Sequence, residues 1–139
     1  MVSREIKKPR PATVNLEKRD KGVYITWRFT TRIVENSEGF LDCSIPEFEL
    51  YFNADSREEV DHKSLTFVKM FFNYYADGRS MNLRNLGTAL VRLGFRPTNG
   101  LADTSKLARN KFVPTKFKSP IVSNLPGVEE RQLEDELVA

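Results

Sequence analysis

The residues able to act as nucleophiles, bases or metal ligands are sparse. The chain has one His and one Cys among 139 residues, with a run of acids between Glu35 and Asp61. A Cys–His nucleophile needs a third group to orient the base, and nothing beside Cys43 or His62 supplies one. A structural zinc site takes four ligands, so these two side chains are too few. His62 falls away from the apolar stripe of its predicted helix and reads as a surface residue. Cys43 alternates with Leu41 and Ile45 and reads as a small core residue. Two-metal phosphoryl transfer needs carboxylates converging from several elements. Glu58, Glu59 and Asp61 are accounted for by a helix N-terminus, where the dipole favours negative charge. None of the remaining acids reads as buried. Gly-rich phosphate loops, Gly-x-Ser-x-Gly and His-Glu-x-x-His are all absent from the sequence. The expectation is a protein that is not an enzyme and has no catalytic residues, metal or cofactor.

Charge offers a second kind of chemistry. The net charge of +3 conceals a balance of +4 over residues 1–22, −2 over 23–95, +5 over 96–125 and −4 over 126–139. In the segment 106–118, Lys106, Arg109, Lys111, Lys116 and Lys118 interleave with Phe112 and Phe117, and rings beside cations can stack on bases. Arg28 and Arg32 share a strand face with Tyr24, a pattern that RNA-binding sheets use. The Gly-Phe-rich strands of the common RNA-binding sheet domain are missing, as is a helix-turn-helix. The mildly acidic centre points the other way. Glu35, Glu38, Glu47 and Glu49 would complement a basic partner protein and speed its encounter.

Three predicted strands and two helices must position these groups. Residues 23–34 alternate cleanly: Val23, Ile25, Trp27, Phe29, Thr31 and Ile33 on one face, Tyr24, Thr26, Arg28, Thr30, Arg32 and Val34 on the other. Asn36-Ser37-Glu38-Gly39 supplies a turn, with Gly39 free to take positive φ. A second strand covers 40–45 and stops at Pro46, and a third covers 47–53. Short connections predict an antiparallel meander. Ser56 and Glu59 then form a capping box that opens a long helix ending at Asp77-Gly78. Val60, Ser64, Phe67, Val68, Phe71, Tyr74 and Tyr75 are predicted to face the sheet. Leu65, Met70 and Phe72 form a second apolar strip that needs a cover from the next helix, a second subunit or another protein. A shorter helix over 82–93 has Leu83, Leu86 and Leu90 on its apolar side, with Val91 and Leu93 as further candidates, Gly94 as its C-cap and Phe95 in apolar contact.

The flanks are less periodic. Residues 1–22 read as a flexible basic arm in which Val14 and Leu16 could add a short strand. Residues 96–139 read as an irregular basic segment with an acidic end. Within it, Lys111-Phe112-Val113 and Pro120-Ile121-Val122 could be strand fragments, and Val128 to Val138 could form one or two helical turns. No apolar run reaches the ~20 residues of a membrane span. The N-terminus lacks a secretory signal pattern, and a single Cys fits a reducing compartment. A cytoplasmic protein without a membrane partner is expected.

The fold class expected is α+β: a three-stranded antiparallel meander, a long helix packed on one face, then a second shorter helix. Glu35-Asn36-Ser37-Glu38-Gly39-Phe40, Ile45-Pro46-Glu47, Ala54-Asp55-Ser56-Arg57-Glu58-Glu59-Val60 and Leu90-Val91-Arg92-Leu93-Gly94-Phe95 resemble the HicB family of antitoxin-like proteins over about residues 23–95. In that family a strand pair meets at an acidic-Gly turn, a Pro-Glu pair follows, and a Gly/Ala-Asp-Thr/Ser-x-Glu-Glu-Ala junction opens the helix. Here Val60 replaces the Ala, Ala54 stands where Gly is usual, and no appended DNA-binding module is recognisable after residue 95. The resemblance implies a partial ribonuclease-H-like fold. It also implies a non-catalytic module that sequesters a partner, with a HicA-type ribonuclease toxin as the candidate, and self-associates as a homodimer or higher. The alternative is a sequence-tolerant nucleic-acid binder using the basic flanks.

Overall fold

A computed structural model describes residues 4–6, 11–19, 22–75, 83–98, 109–115 and 127–138. The strongest alternating segment forms the longest strand, β3 (Gly22–Glu35), and the other strands assemble around it. Its odd-numbered residues Val23, Ile25, Trp27, Phe29 and Ile33 are buried, as the alternation predicts. Before it come β1 (Arg4–Ile6) and β2 (Thr13–Arg19). After it come β4 (Leu41–Ile45), a 3-10 turn (Pro46–Phe48) and β5 (Leu50–Ala54). Helices α1 (Arg57–Tyr75) and α2 (Leu83–Arg92) follow, then β6 (Phe95–Pro97), β7 (Arg109–Pro114) and β8 (Val128–Val138).

The expected meander β3–β4–β5 is present, inside a larger antiparallel sheet that has eight strands among the described residues. The sheet runs β1-β8-β3-β2-β7-β6, with β4 also on β3 and β5 on β4. Residues 13–19, expected within a flexible arm, pair with β3 from Thr13↔Arg28 to Arg19↔Gly22. The Lys111-Phe112-Val113 fragment lies in β7, paired with β2. The Pro120-Ile121-Val122 fragment and Gly78 lie outside the described residues. The largest correction is Val128–Val138, which is a strand and not helical turns: β8 pairs with β3 from Tyr24↔Val138 to Val34↔Val128. A lone helix of this length is marginal in water. A place beside β3 gives every second backbone group a ladder partner and buries Leu133.

β8 also widens the sheet, and α1 sits rotated from its expected setting. The helix is bracketed by Arg131 of β8, bonded to Asp61 at 2.8 Å, and by the Asn53 carbonyl of β5, which accepts a bond from Lys63 Nζ at 2.8 Å. Its buried arc is Val60, Ser64, Val68 and Phe72. Phe72, assigned from sequence to an outer strip, is fully buried and stacks on Trp27 with centroids 4.2 Å apart. Tyr74, expected to face the sheet, is 80% exposed. The Ser56 hydroxyl accepts the Glu59 N–H at 3.2 Å, as the capping box requires. In α2, Leu83, Leu86 and Leu90 are buried, Gly94 takes φ +101 and Phe95 joins the core. The rings of Phe29, Phe48, Phe71, Phe72 and Phe95 fill the space between sheet and helices. The class is α+β, and no helix among the described residues is long and apolar enough to cross a membrane.

Candidate functional site

The acidic residues singled out from sequence do not form one patch. Glu35 and Glu38 stand exposed at the β3–β4 turn. Glu49 is exposed at the far end of the hairpin, roughly 16 Å away along five-residue strands. Glu47 leaves the surface altogether, since it is 1% exposed. The reason is an opening in the edge of β3. β2 covers that edge as far as Arg28, and β4 begins at Arg32. Alternate backbone groups of a strand face opposite neighbours, so the Thr30 N–H points into the gap between β2 and β4. Glu47 Oε1 accepts this N–H at 3.2 Å. Thr30 is buried too, and its hydroxyl accepts a bond from the buried Gln132 amide at 3.5 Å. Among the described residues the Glu47 Oε2 has no partner. Desolvation pushes the carboxyl up to about 7, although the Thr30 N–H and Arg32 oppose the shift.

What remains exposed is an acidic corner. Asn36 holds its turn: the Asn36 side-chain oxygen accepts the N–H groups of Glu38 at 2.9 Å and Phe40 at 3.1 Å. Gly39 takes φ +87, as the turn chemistry predicts. Asp42 accepts bonds from the amides of Asn36 and Asn53. These ties shape an open groove of about 380 Å³ lined by Glu38, Phe40, Asn53, Asp55, Glu59 and Lys63, among others. The Phe40 ring is 46% exposed there, an apolar anchor amid acids. Lys63 is committed to Glu59 at 2.8 Å and to the Asn53 carbonyl. Its ion pair holds the Glu59 carboxyl below its ordinary value.

A larger groove of about 470 Å³ lies on the other face of the sheet, lined by Thr13, Asn15, Tyr24, Thr26, Arg28 and Glu134, among others. The sequence reads this face as basic, but β8 changes it. Arg32 Nε bonds Glu130 at 3.1 Å, and Glu134 lies opposite Arg28 in register. Arg28 also donates to the Thr13 hydroxyl at 3.3 Å. A hydrogen bond with Glu136 raises the Tyr24 hydroxyl above its ordinary value, and Arg19 sits over the Tyr24 ring at 4.2 Å. The cations here are therefore met by acids that the sequence places a hundred residues away.

Of the residues in 106–118 expected to contact nucleic acid, Arg109, Lys111 and Phe112 lie among the described residues. Phe112 is fully buried against Val14 and cannot stack on a base. Lys111 is exposed on β7, and Arg109 begins that strand. Lys106, Lys116, Phe117 and Lys118 lie outside the described residues. Cys43 is buried, and desolvation pushes its thiol up to about 11; His62 is exposed. Among the described residues, no group of three or more His, Cys, Asp or Glu is placed to hold a metal.

No protein-family model, no curated protein and no solved structure matches this chain.

Proposed function

We propose that this chain is a non-catalytic module that sequesters a basic partner protein at the acidic corner formed by the β3–β4 turn and the start of α1. The observation that carries it is the half-exposed Phe40 ring, set in a groove with Glu38, Asp55 and Glu59 around it. An aromatic anchor inside a charged rim is how protein interfaces combine affinity with orientation. The acids at the rim steer a basic partner and raise its association rate. Glu35 extends the negative surface at the same end. The resemblance of residues 23–95 to the HicB family supplies a candidate partner, a small ribonuclease toxin.

The nucleic-acid reading draws less support, because Phe112 is in the core and Arg32 is paired with Glu130. The test is affinity purification of the tagged full chain and of a Glu35→Lys/Glu38→Lys variant from the same cells. Both residues are exposed, so the variant should fold. A basic protein held by the wild type and lost from the variant supports the proposal. A partner retained equally by both ends it.

A further inference from the structure

Among the described residues, the hairpin that carries the acidic corner ends in an uncovered strand edge: β5 pairs with β4 and with no other strand. Its register, Ile45↔Leu50 through Leu41↔Ala54, closes a four-residue connection. Alternation then directs the backbone groups of Leu50, Phe52 and Ala54 to β4 and those of Tyr51 and Asn53 outward. Among the described residues this outer edge is met at one point, where Lys63 Nζ donates to the Asn53 carbonyl. A single lysine is a modest guard for an edge able to pair with another chain.

A ledge of side chains runs alongside. Lys63, Phe67, Met70 and Tyr74 recur at helical spacing on one flank of α1. Lys63 touches β5 at Asn53, and Phe67 packs its ring against Phe52 at 5.4 Å. That places the same flank along the open edge. Further along it Met70 is 58% exposed and Tyr74 80% exposed. A strand laid against β5 would complete the ladder at Tyr51 and Asn53. Its helix-facing side chains would rest on Phe67, Met70 and Tyr74.

The charges select the occupant. Exposed Glu49 stands at one end of β5, and exposed Asp55 and Glu58 at the other. A second copy of this chain pairing antiparallel through β5 would bring the Glu49 end of one copy to the Asp55 end of the other, with like charges together. A strand with cations toward its ends meets opposite charge at both. We infer that an extended, positively charged segment of a partner protein adds to β5 as an outer strand, with its alternate apolar side chains seated on Phe67, Met70 and Tyr74. Strand addition of this kind draws affinity from backbone bonds and specificity from alternate side chains. The inference rests on the binding function proposed above and specifies the shape of what is bound.

The probe is a synthetic seven-residue peptide of alternating Lys and Val, titrated into the isotope-labelled full chain and followed by amide chemical shifts. Shifts should gather on residues 50–54 and 63–74. Methylating alternate peptide nitrogens should weaken binding at least about tenfold, because it removes backbone donors and leaves the charge intact. Tyr51→Pro should do the same from the other side, since Pro deletes an outward N–H and is tolerated on an edge. Should that variant fail to fold, Met70→Lys at an exposed position should weaken binding through the ledge. Equal binding of methylated and unmethylated peptides, shifts elsewhere, no binding at about 1 mM peptide, or dimerisation of the chain through β5 would each overturn strand addition. Any of these results would leave the acidic corner standing, because charge reversal at Glu35 and Glu38 is read out with the intact partner.

Discussion

Glu47 and Thr30 meet where one edge of β3 lies open between β2 and β4: the Glu47 carboxyl accepts the Thr30 N–H at 3.2 Å inside the core. One side chain thereby closes the interval between β2 and β4 on a shared edge. A buried backbone donor left bare would cost about 1–3 kcal/mol, so the contact explains why an acid is tolerated there. The carboxyl carries the burden of desolvation instead.

That burden makes stability depend on pH near neutrality. Burial raises the Glu47 carboxyl from its ordinary 4.5 to about 7, so the folded state favours the protonated form. The associated stability is fully present below pH 4.5 and is lost as pH rises through about 7. The loss amounts to about 3 kcal/mol. Thermal melts at pH 5 and pH 8 should therefore differ for the wild type. Glu47→Gln keeps an acceptor for Thr30 and removes the charge, so it should flatten that difference. An unchanged pH dependence in Glu47→Gln would contradict the assignment.

The helix setting makes a sharp contrast between two aromatic residues two positions apart. Phe72→Ala should destabilise by about 3–5 kcal/mol, because Phe72 is fully buried and stacked on Trp27. Tyr74→Ala should stay within about 0.5 kcal/mol, because its ring is mostly in solvent. Urea melts of both variants check this, and similar losses would mean a differently rotated helix.

Asp61 and Arg131 tie α1 to β8 through two bonds of 2.8 Å at partly buried positions. A double-mutant cycle with Asp61→Asn and Arg131→Gln should give a coupling of about 1 kcal/mol, reduced by added salt. No coupling would show that β8 and α1 dock without this pair.

β8 lies one strand in from the β1 edge of the sheet and pairs with β3 along eleven residues. Removing residues 127–139 should therefore abolish cooperative unfolding, since β3 would lose one whole ladder. Circular dichroism during heating checks it. A truncated chain that melts as sharply as the full one would contradict this role of β8.

Some of this architecture is readable in the sequence and some is not. The clean alternation of residues 23–34, the Asn36–Gly39 turn and the Ser56 cap each depend on neighbours within a few positions, and each forms as expected. β8 is opaque for a physical reason. Its helix-facing positions hold Glu129, Arg131 and Asp135 beside Leu133 and Leu137, so no apolar alternation marks it as a strand. The partners that make these charges acceptable, Arg57 for Glu129 and Asp61 for Arg131, lie about seventy residues away in the chain. Burial of Glu47 is opaque for a similar reason. Pro46 announces the end of a strand, but the gap that receives Glu47 exists only because β2 and β4 share one edge of β3. The acidic corner is half legible: Glu35 and Glu38 stand out in the sequence, while the Phe40 anchor and the β5 edge, uncovered among the described residues, emerge only from the assembled hairpin.

The most direct test is quantitative affinity purification of the full chain at about 150 mM salt, wild type against Glu35→Lys/Glu38→Lys. A basic protein should be bound to the wild type and reduced at least about tenfold with the variant. Equal recovery of the same partner by both chains, or recovery of nucleic acid in place of a protein, would contradict it.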